Sequence, residues 1–326
     1  MTEAPALRDY LAGIPHLHVM ADEPLARHTR FGIGGAARLF CDAPDQDSFV
    51  AALKTLKQTG LPHVVMGGGT NLIVADAGFA GVVLRFSGAA IQAEGTLLRA
   101  EAGAVLQEVV DRSMALGLKG MQTMTGIPGF LGGAVYGNAG AYGQSIQERV
   151  VTVRATDGER TAAFSNADCH FQYRESWFKS HKDWVILEAE LRFEEGDAAE
   201  LQKAADEIRR IRDKKYPPSM KCAGSIFKNV FFAQLPQHVQ AEVPAHLVRD
   251  GKVPAAWFLE QAGVMGTRRG DIQVATYHAN LIYNDGAGTA ADLVAVIREC
   301  KKRVEERFGF ELEEEVQYVG FGGVDL

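Results

Sequence analysis

Cysteine, proline and long apolar runs are scarce in this chain of 326 residues, and its 34 basic residues are outnumbered by 41 acidic ones. The four cysteines, Cys41, Cys169, Cys222 and Cys300, are scattered and form no Cys-x-x-Cys pair. They read as buried thiols in a reducing compartment rather than as a disulfide framework. There are 11 prolines against 35 glycines, with neither a Gly-X-Y period nor a low-complexity tract. No apolar stretch approaches the roughly 18 residues that a spanning helix needs, so no membrane is expected. The opening MTEAPALRDYL has no basic region followed by an apolar core, so no signal peptide is expected and the cytoplasm is the default location. The formal net charge is −7. Coating a nucleic acid requires a basic face, so that class is set aside. A small anionic ligand, which needs only a few local cations, is not. The chain also lacks a P-loop pattern and a G-x-S-x-G elbow, which removes P-loop nucleotide hydrolysis and makes an α/β-hydrolase unexpected.

What is present is ordinary globular composition, 47% hydrophobic and 23% charged, at a length that predicts about two domains. Such a length buries enough core to fold without staples. Residues 1–26 read as a peripheral lead-in. A helix is predicted after Asp45 or Asp47, with Phe49, Leu53 and Leu56 on one face and Gly60 at its end. Apolar runs predict strands at 61–66, 81–86, 96–102, 150–156, 184–193, 280–284 and 312–319. Helices are predicted at 104–116, at 198–213 with a stripe of Leu201, Ala205, Ile208 and Ile211, and at 290–308 behind a Thr289 cap. Strands and helices mix without clean βαβ alternation, so the predicted class is α+β. The domain boundary is expected near 195–200, giving 27–196 and 197–326.

Glycine is the informative residue. A predicted strand runs straight into Gly67, Gly68, Gly69, Thr70 and Asn71. Successive glycines let backbone N–H groups approach a phosphate, and Thr70 and Asn71 add side-chain donors. Residues 126–143, GIPGFLGGAVYGNAGAYG, are too glycine-dense for an ordinary helix or strand and suit a wrap around an extended cofactor. Tight turns are the plain alternative for either loop taken singly. The stretch Gly32-Ile33-Gly34-Gly35-Ala36-Ala37 matches G-x-G-x-x-A, yet no convincing strand precedes it, so it reads as a decoy. His16 and His18 lack partners at metal-site spacing, and no metal is expected.

Taken in order, HTRFGIGGAARL (28–39), VVMGGGTNLIV (64–74), GIPGFLGGAVYGNAGAYG (126–143), YRESWF (173–178), AGSIFKN (223–229), HANLIYN (278–284) and LEEEVQYVG (312–320) resemble the UDP-N-acetylmuramate dehydrogenase family, also called UDP-N-acetylenolpyruvoylglucosamine reductase. The resemblance implies a two-lobed FAD-binding domain of the vanillyl-alcohol-oxidase or PCMH type and a smaller C-terminal substrate domain. It implies noncovalent FAD, reduced by NADPH, whose N5 passes hydride to the enolpyruvyl group of a UDP-sugar in peptidoglycan precursor synthesis. A monomer or weak oligomer is expected. Gly67 to Asn71 match the pyrophosphate loop. Thr125, Gly126, Ile127, Gly132, Gly133, Asn138, Ala139 and Gly140 match the second flavin loop. Arg174, Ser225 and Glu315 match the catalytic positions, and Tyr173, Lys215 and Asn229 look like substrate contacts. Arg30, Val230, Leu281 and Glu314 depart from the family's usual Thr, Pro, Phe and Pro, and residues 236–256 look longer than the common form. Arg174 and Ser225 lie 51 positions apart, which resembles the subtype lacking an extra tyrosine loop.

The chemistry fits those residue types. Reduction of an enol ether conjugated to a carboxylate builds an enolate, which must be stabilised and then protonated. Arg174 can pair bidentately with the carboxylate. Glu315, if protonated by burial, can donate to the enolate. Ser225, small and next to Gly224, is the proton donor, although serine is a weak acid and needs a relay or a charged neighbour. Strand alternation would place Asn229 rather than Lys228 on the Ser225 face, and Glu313 with Glu315 opposite Glu314. The alternatives carried forward are a flavin oxidoreductase of the same fold acting on another substrate and a flavin- or UDP-sugar-binding module without turnover.

Overall fold

The computed structural model describes residues 4–322. The chain forms two compact units that interleave in sequence. Among the described residues, the first comprises 4–23, 37–69 and 80–214, and the second 24–36, 70–79 and 215–322.

The first unit is built on two sheets. One is four-stranded, in the order His18–Pro24, Ala36–Ala43, Phe79–Phe86, His63–Met66, with the last two parallel. The other is five-stranded and antiparallel, in the order Thr161–Ser165, Val150–Thr156, Val185–Arg192, Leu97–Glu101, Ile91–Glu94. Helix Gln46–Thr59 is capped by Asp45, whose side chain accepts from the Ser48 N–H, and ends at Gly60 in the left-handed region (φ 65°). Its Phe49, Leu53 and Leu56 enter the core beside Val109, Val110 and Met114 of helix Leu106–Ala115. The N-terminal segment is not peripheral. Helix Ala4–Ala12 buries Leu7 and Leu11 in the same core, and His18–Pro24 is an edge strand of the first sheet. Residues 1–3 of that segment lie outside the described residues.

Helix Ala198–Lys215 groups with the first unit up to residue 214, not with the second as a boundary near 196 would have it, because Leu201 and Ala205 are buried in the first core. Its apolar stripe is only half used: Ile211 remains 53% exposed.

The second unit holds the sheet Lys221–Ser225, Leu281–Asn284, Ile272–Val274, Arg268–Arg269 against helix Ala290–Phe308. Phe258, Ile297, Val304 and Phe308 are buried in its core. Residues 236–256, long for the expected form, supply Val239, Val243 and Val253 to that core. A parallel pair, Leu72–Val74 with Gln317–Val319, links the segment after the first glycine loop to the C-terminal strand. The expected strand 312–319 is therefore shorter: 312–316 is irregular apart from a bridge between Phe227 and Glu314. Gly32 to Ala37 leads from the short turn Leu25–His28 into a strand and not from a strand into a helix, which is not a dinucleotide-binding arrangement. All four cysteines are buried thiols.

Helix Ala290–Phe308 shows full accounting at its start. Thr289 accepts from the Asp292 N–H (3.1 Å), while both carboxylate oxygens of Asp76 accept from the Ala290 and Ala291 N–H groups (2.8 and 3.0 Å). Three orphan donors are thus satisfied, two of them by a residue more than 200 positions away. Asp76→Ala should lower the unfolding free energy by about 1 kcal/mol, a capping loss read from denaturant curves.

Candidate active site

The first unit carries both glycine segments. Gly67 to Gly69 follow strand His63–Met66, with Gly69 left-handed (φ 62°). A Cβ on Gly68 would come within 3.2 Å of Gly129 Cα and 3.4 Å of the Phe130 ring. The two segments therefore touch, and a side chain at Gly68 would crowd the second segment.

Residues 126–143 are not a continuous wrap. Leu131–Tyr136 is a short helix and Gly140–Ala141 pairs with Gln144–Ser145. Helix is possible despite two glycines because it lies on the turn at 102–104 that follows strand Leu97–Glu101. Leu131 and Gly132 donate to the Ala104 and Ala102 carbonyls (both 2.8 Å), and a Cβ on Gly132 would strike Ala102 Cβ at 2.8 Å. Gly133 faces open space.

Backbone donors of this segment are largely committed within the protein. Thr125, Gly126 and Ile127 N–H groups bond Gln122 O, Gln107 Oε1 and Met124 O (3.3, 2.7 and 3.0 Å). Ala139 donates to Ala134 O (2.8 Å), and Gly140 lies in the two-stranded pair just described. The Thr125, Gly126, Ile127, Gly132 and Ala139 amides thus all have partners within the protein. Thr125 differs: it is 2% exposed, and its buried hydroxyl has no hydrogen-bond partner among the described residues. Such a group is costly unless a ligand's polar atom meets it. This orphan beside two touching glycine segments fits an extended polar cofactor such as FAD.

Asn138, left-handed (φ 43°) and buried, spends its amide on the protein. It donates to Gln147 Oε1 (3.0 Å) and to the Gln172 carbonyl (2.8 Å), and its Oδ1 accepts from the Gln147 N–H (3.3 Å). It thereby ties the second glycine segment to the turn that bears Tyr173 and Arg174. Gln172 and Glu175 exchange both backbone bonds (3.0 and 3.1 Å) across that turn. Arg174 stands at its third position with φ 59°, a conformation normally left to glycine. Its Nη2 donates to Gly140 O (3.1 Å) and its guanidinium lies 5.4 Å from the Tyr173 ring centre.

The second unit carries the remaining candidates. Ser225 ends strand Lys221–Ser225 at a bulge, where the register slips between Cys222 and Ser225. Gly224 supplies the left-handed residue the bulge needs (φ 81°), and the space beside its Cα is open. Beyond it the chain leaves the strand: Ile226 and Phe227 N–H groups both bond Asn280 Oδ1 (3.1 and 2.9 Å). Alternation thus fails for 226–229. Lys228 turns to Glu313, and Asn229 Oδ1 accepts from the Ala255 N–H (3.3 Å).

Glu315 is tied by backbone to the residue that follows Ser225. Its N–H bonds the Ile226 carbonyl (2.7 Å), and Asn71 Nδ2 holds its own carbonyl (2.9 Å). Asn71 therefore spends a donor on the protein. Alternation also fails across 313–315, because the segment is not a strand: Glu313 is exposed, whereas Glu314 and Glu315 are both half-buried. Glu314, at the family's usual proline, bonds Lys301 (3.1 Å) and the Tyr318 hydroxyl. Burial, with this carboxylate adjacent, pushes the Tyr318 phenol up.

Three neighbours went unselected in the sequence. The Tyr216 hydroxyl lies 3.5 Å from Ser225 Oγ, its ring is 6.3 Å from that of His278, and the Tyr277 hydroxyl donates to the Lys215 carbonyl (3.0 Å). Tyr216 was signalled only by adjacency to Lys215 and His278 only by membership of HANLIYN, and Tyr277 stands just before that motif. His278 Nδ1 accepts from the Asn280 N–H (3.2 Å), so Nε2 carries the proton of the neutral ring. Burial, with Lys215 as a second cause, pushes this imidazole down to about 4.

Comparison with known proteins meets this geometry directly. A family model described as an FAD binding domain matches residues 38–161, and one described as the UDP-N-acetylenolpyruvoylglucosamine reductase C-terminal domain matches 216–319. The chain is 57% identical over 310 residues to the UDP-N-acetylenolpyruvoylglucosamine reductase of Solibacter usitatus, covering 95% of this chain and 99% of the relative. The chain belongs to the UDP-N-acetylenolpyruvoylglucosamine reductase family. A reductase of that name from Rubrobacter xylanophilus is 34% identical, covering 92% of this chain and 94% of that one. The crystal structure of the Thermus caldophilus reductase superimposes with a TM-score of 0.72 at 25% identity, covering 93% of this chain and 98% of that one. The α+β class, with an FAD-binding domain and the reductase C-terminal domain, stands as expected. Membership of the reductase family makes the chain an FAD-containing oxidoreductase.

Gly68→Val should force the two glycine segments apart and lower the flavin content of purified protein severalfold, measured as flavin absorbance per chain. For His278, the unfolded chain takes up a proton below about pH 6.5, the folded chain only near 4. Unfolding therefore gains protons in that window and stability falls as pH drops through it. His278→Gln should flatten the decline in denaturation midpoint between pH 7 and 4.5.

Proposed function

We propose that the chain reduces the enolpyruvyl group of UDP-N-acetylenolpyruvoylglucosamine to give UDP-N-acetylmuramate, with NADPH as reductant, in the cytoplasmic phase of peptidoglycan precursor synthesis. FAD, when bound, supplies the two-electron chemistry between NADPH and the UDP-sugar. Gly67 to Thr70 and the segment from Thr125 to Gly140 would hold it, with Thr125 Oγ1 as the polar contact. We assign the chain to the subtype lacking the extra tyrosine loop.

The chain's own residues divide the remaining work. Arg174, always charged, pairs with the substrate carboxylate and counters the negative charge that spreads into it. Glu315 shares stabilisation of the enolate. Ser225 Oγ–H passes its proton to the substrate carbon. Tyr216, at 3.5 Å, is the hydroxyl placed to share that proton, an answer to the weakness of serine as an acid. Tyr173, Lys215 and Asn229 contact the UDP-sugar. Family membership supports this reading, and one observation supports the pairing of Ser225 with Glu315. The Glu315 N–H bonds the carbonyl of Ile226, the residue that follows Ser225, although Ser225 and Glu315 are 90 positions apart.

Purified protein should be yellow and release FAD on denaturation. Ser225→Ala should leave anaerobic bleaching by NADPH within about twofold of wild type while slowing reoxidation by the enolpyruvyl substrate by orders of magnitude. Equal loss in both half-reactions would refute the proton-donor role.

A further inference from the structure

The second glycine segment holds the turn at Gln172 and at the Arg174 guanidinium, and leaves the Arg174 carbonyl to another partner. With φ at 59°, the Arg174 carbonyl is swung out of the pairing pattern that Gln172 and Glu175 complete on either side. One side chain collects it: Lys179 Nζ donates to the Arg174 carbonyl at 2.6 Å and lies 3.3 Å from Glu175 Oε1. The Lys179 side chain is only 18% exposed.

Its base is equally constrained. Lys179 belongs to the single turn Trp177–Ser180, which begins where the Trp177 N–H bonds the Cys169 carbonyl (2.8 Å) and the Ser176 hydroxyl bonds Tyr136 O (2.7 Å). Phe164 packs against Trp177, Phe178 and Trp184 with ring centres 4.9, 5.3 and 5.2 Å away. Phe178 is fully buried. The ammonium thus projects from an aromatic platform onto the carbonyl of a residue that would otherwise favour an extended backbone.

We propose that Lys179 is the positioning residue for Arg174: it holds the left-handed turn that presents the guanidinium to the substrate carboxylate. This rests on the reading of Arg174 given above. Lys179 touches neither FAD nor substrate in this proposal, and acts only through the Arg174 backbone.

The test compares two ligands on oxidised holoenzyme by calorimetry: the enolpyruvyl substrate and UDP-N-acetylglucosamine, which lacks the carboxylate. Lys179→Met should weaken the first by about tenfold and leave the second unchanged. It should also slow substrate-driven reoxidation by about 10- to 100-fold, the scale expected for a misplaced group, with NADPH-driven bleaching within about twofold. Lys179→Arg, which keeps a donor, should recover part of both losses. In an Arg174→Ala background, Lys179→Met should add nothing. Equal weakening of both ligands, no weakening of either, or full additivity with Arg174→Ala would overturn the proposal. Should Lys179→Met fail to fold, Lys179→Arg decides alone: equal weakening of both ligands overturns the proposal, and selective weakening of the carboxylate ligand supports it. Arg174→Ala separates the two readings. If it leaves ligand discrimination intact, the role of Arg174 falls and takes that of Lys179 with it. If it abolishes discrimination while Lys179→Met does not, only the Lys179 proposal falls.

Discussion

Left-handed backbone recurs where the candidate site residues stand, and it has to be held there. Gly69, Gly126, Gly224, Asn138 and Arg174 all have φ between 43° and 81°. For the glycines this is nearly free. For Arg174 and Asn138 it costs on the order of 1–3 kcal/mol each, and such strain persists only where surrounding bonds outweigh it. Here those bonds connect the two residues to one another. Asn138 grips the Gln172 carbonyl at the foot of the turn, and the Arg174 guanidinium returns to Gly140, two residues beyond Asn138.

The same economy governs the second unit. A single bulge at Gly224 ends the strand and turns Ser225, after which Asn280 gathers two successive N–H groups and stops the chain from pairing further. The segment before the C-terminal strand fills the gap, with Glu315 bonded to Ile226 and clasped by Asn71. Asn71 stands two residues after Gly69, so one loop serves the glycine contact at one end and Glu315 at the other.

Several residues that read as ligand donors turn out to be committed inside the protein. Asn138, Asn71 and the amides of 125–127 all have protein partners. Thr125, by contrast, has a buried hydroxyl without a partner among the described residues, and its neighbours give no hint of it in sequence. Spacing rules erred where they assumed strands: 226–229 and 312–316 are irregular, so alternation could not sort Lys228 from Asn229 or Glu314 from Glu315. The lead-in was misjudged because Leu7 and Leu11 alone, without the core they enter, look like any sparse apolar pair.

Local order in the sequence was sufficient for the long helices, their caps, the α+β class and the glycine segments, because these depend on side-chain periodicity and on φ values that few residues tolerate. The ordered motifs were sufficient for the family. Tertiary structure alone decided which donors remain for a ligand, that Asp76 caps a helix more than 200 positions away, that Tyr216 attends Ser225, and that Lys179 supports Arg174. The reason is physical: a hydrogen bond depends on where two groups meet in space, and distance along the chain carries almost no information about that once backbone leaves regular secondary structure.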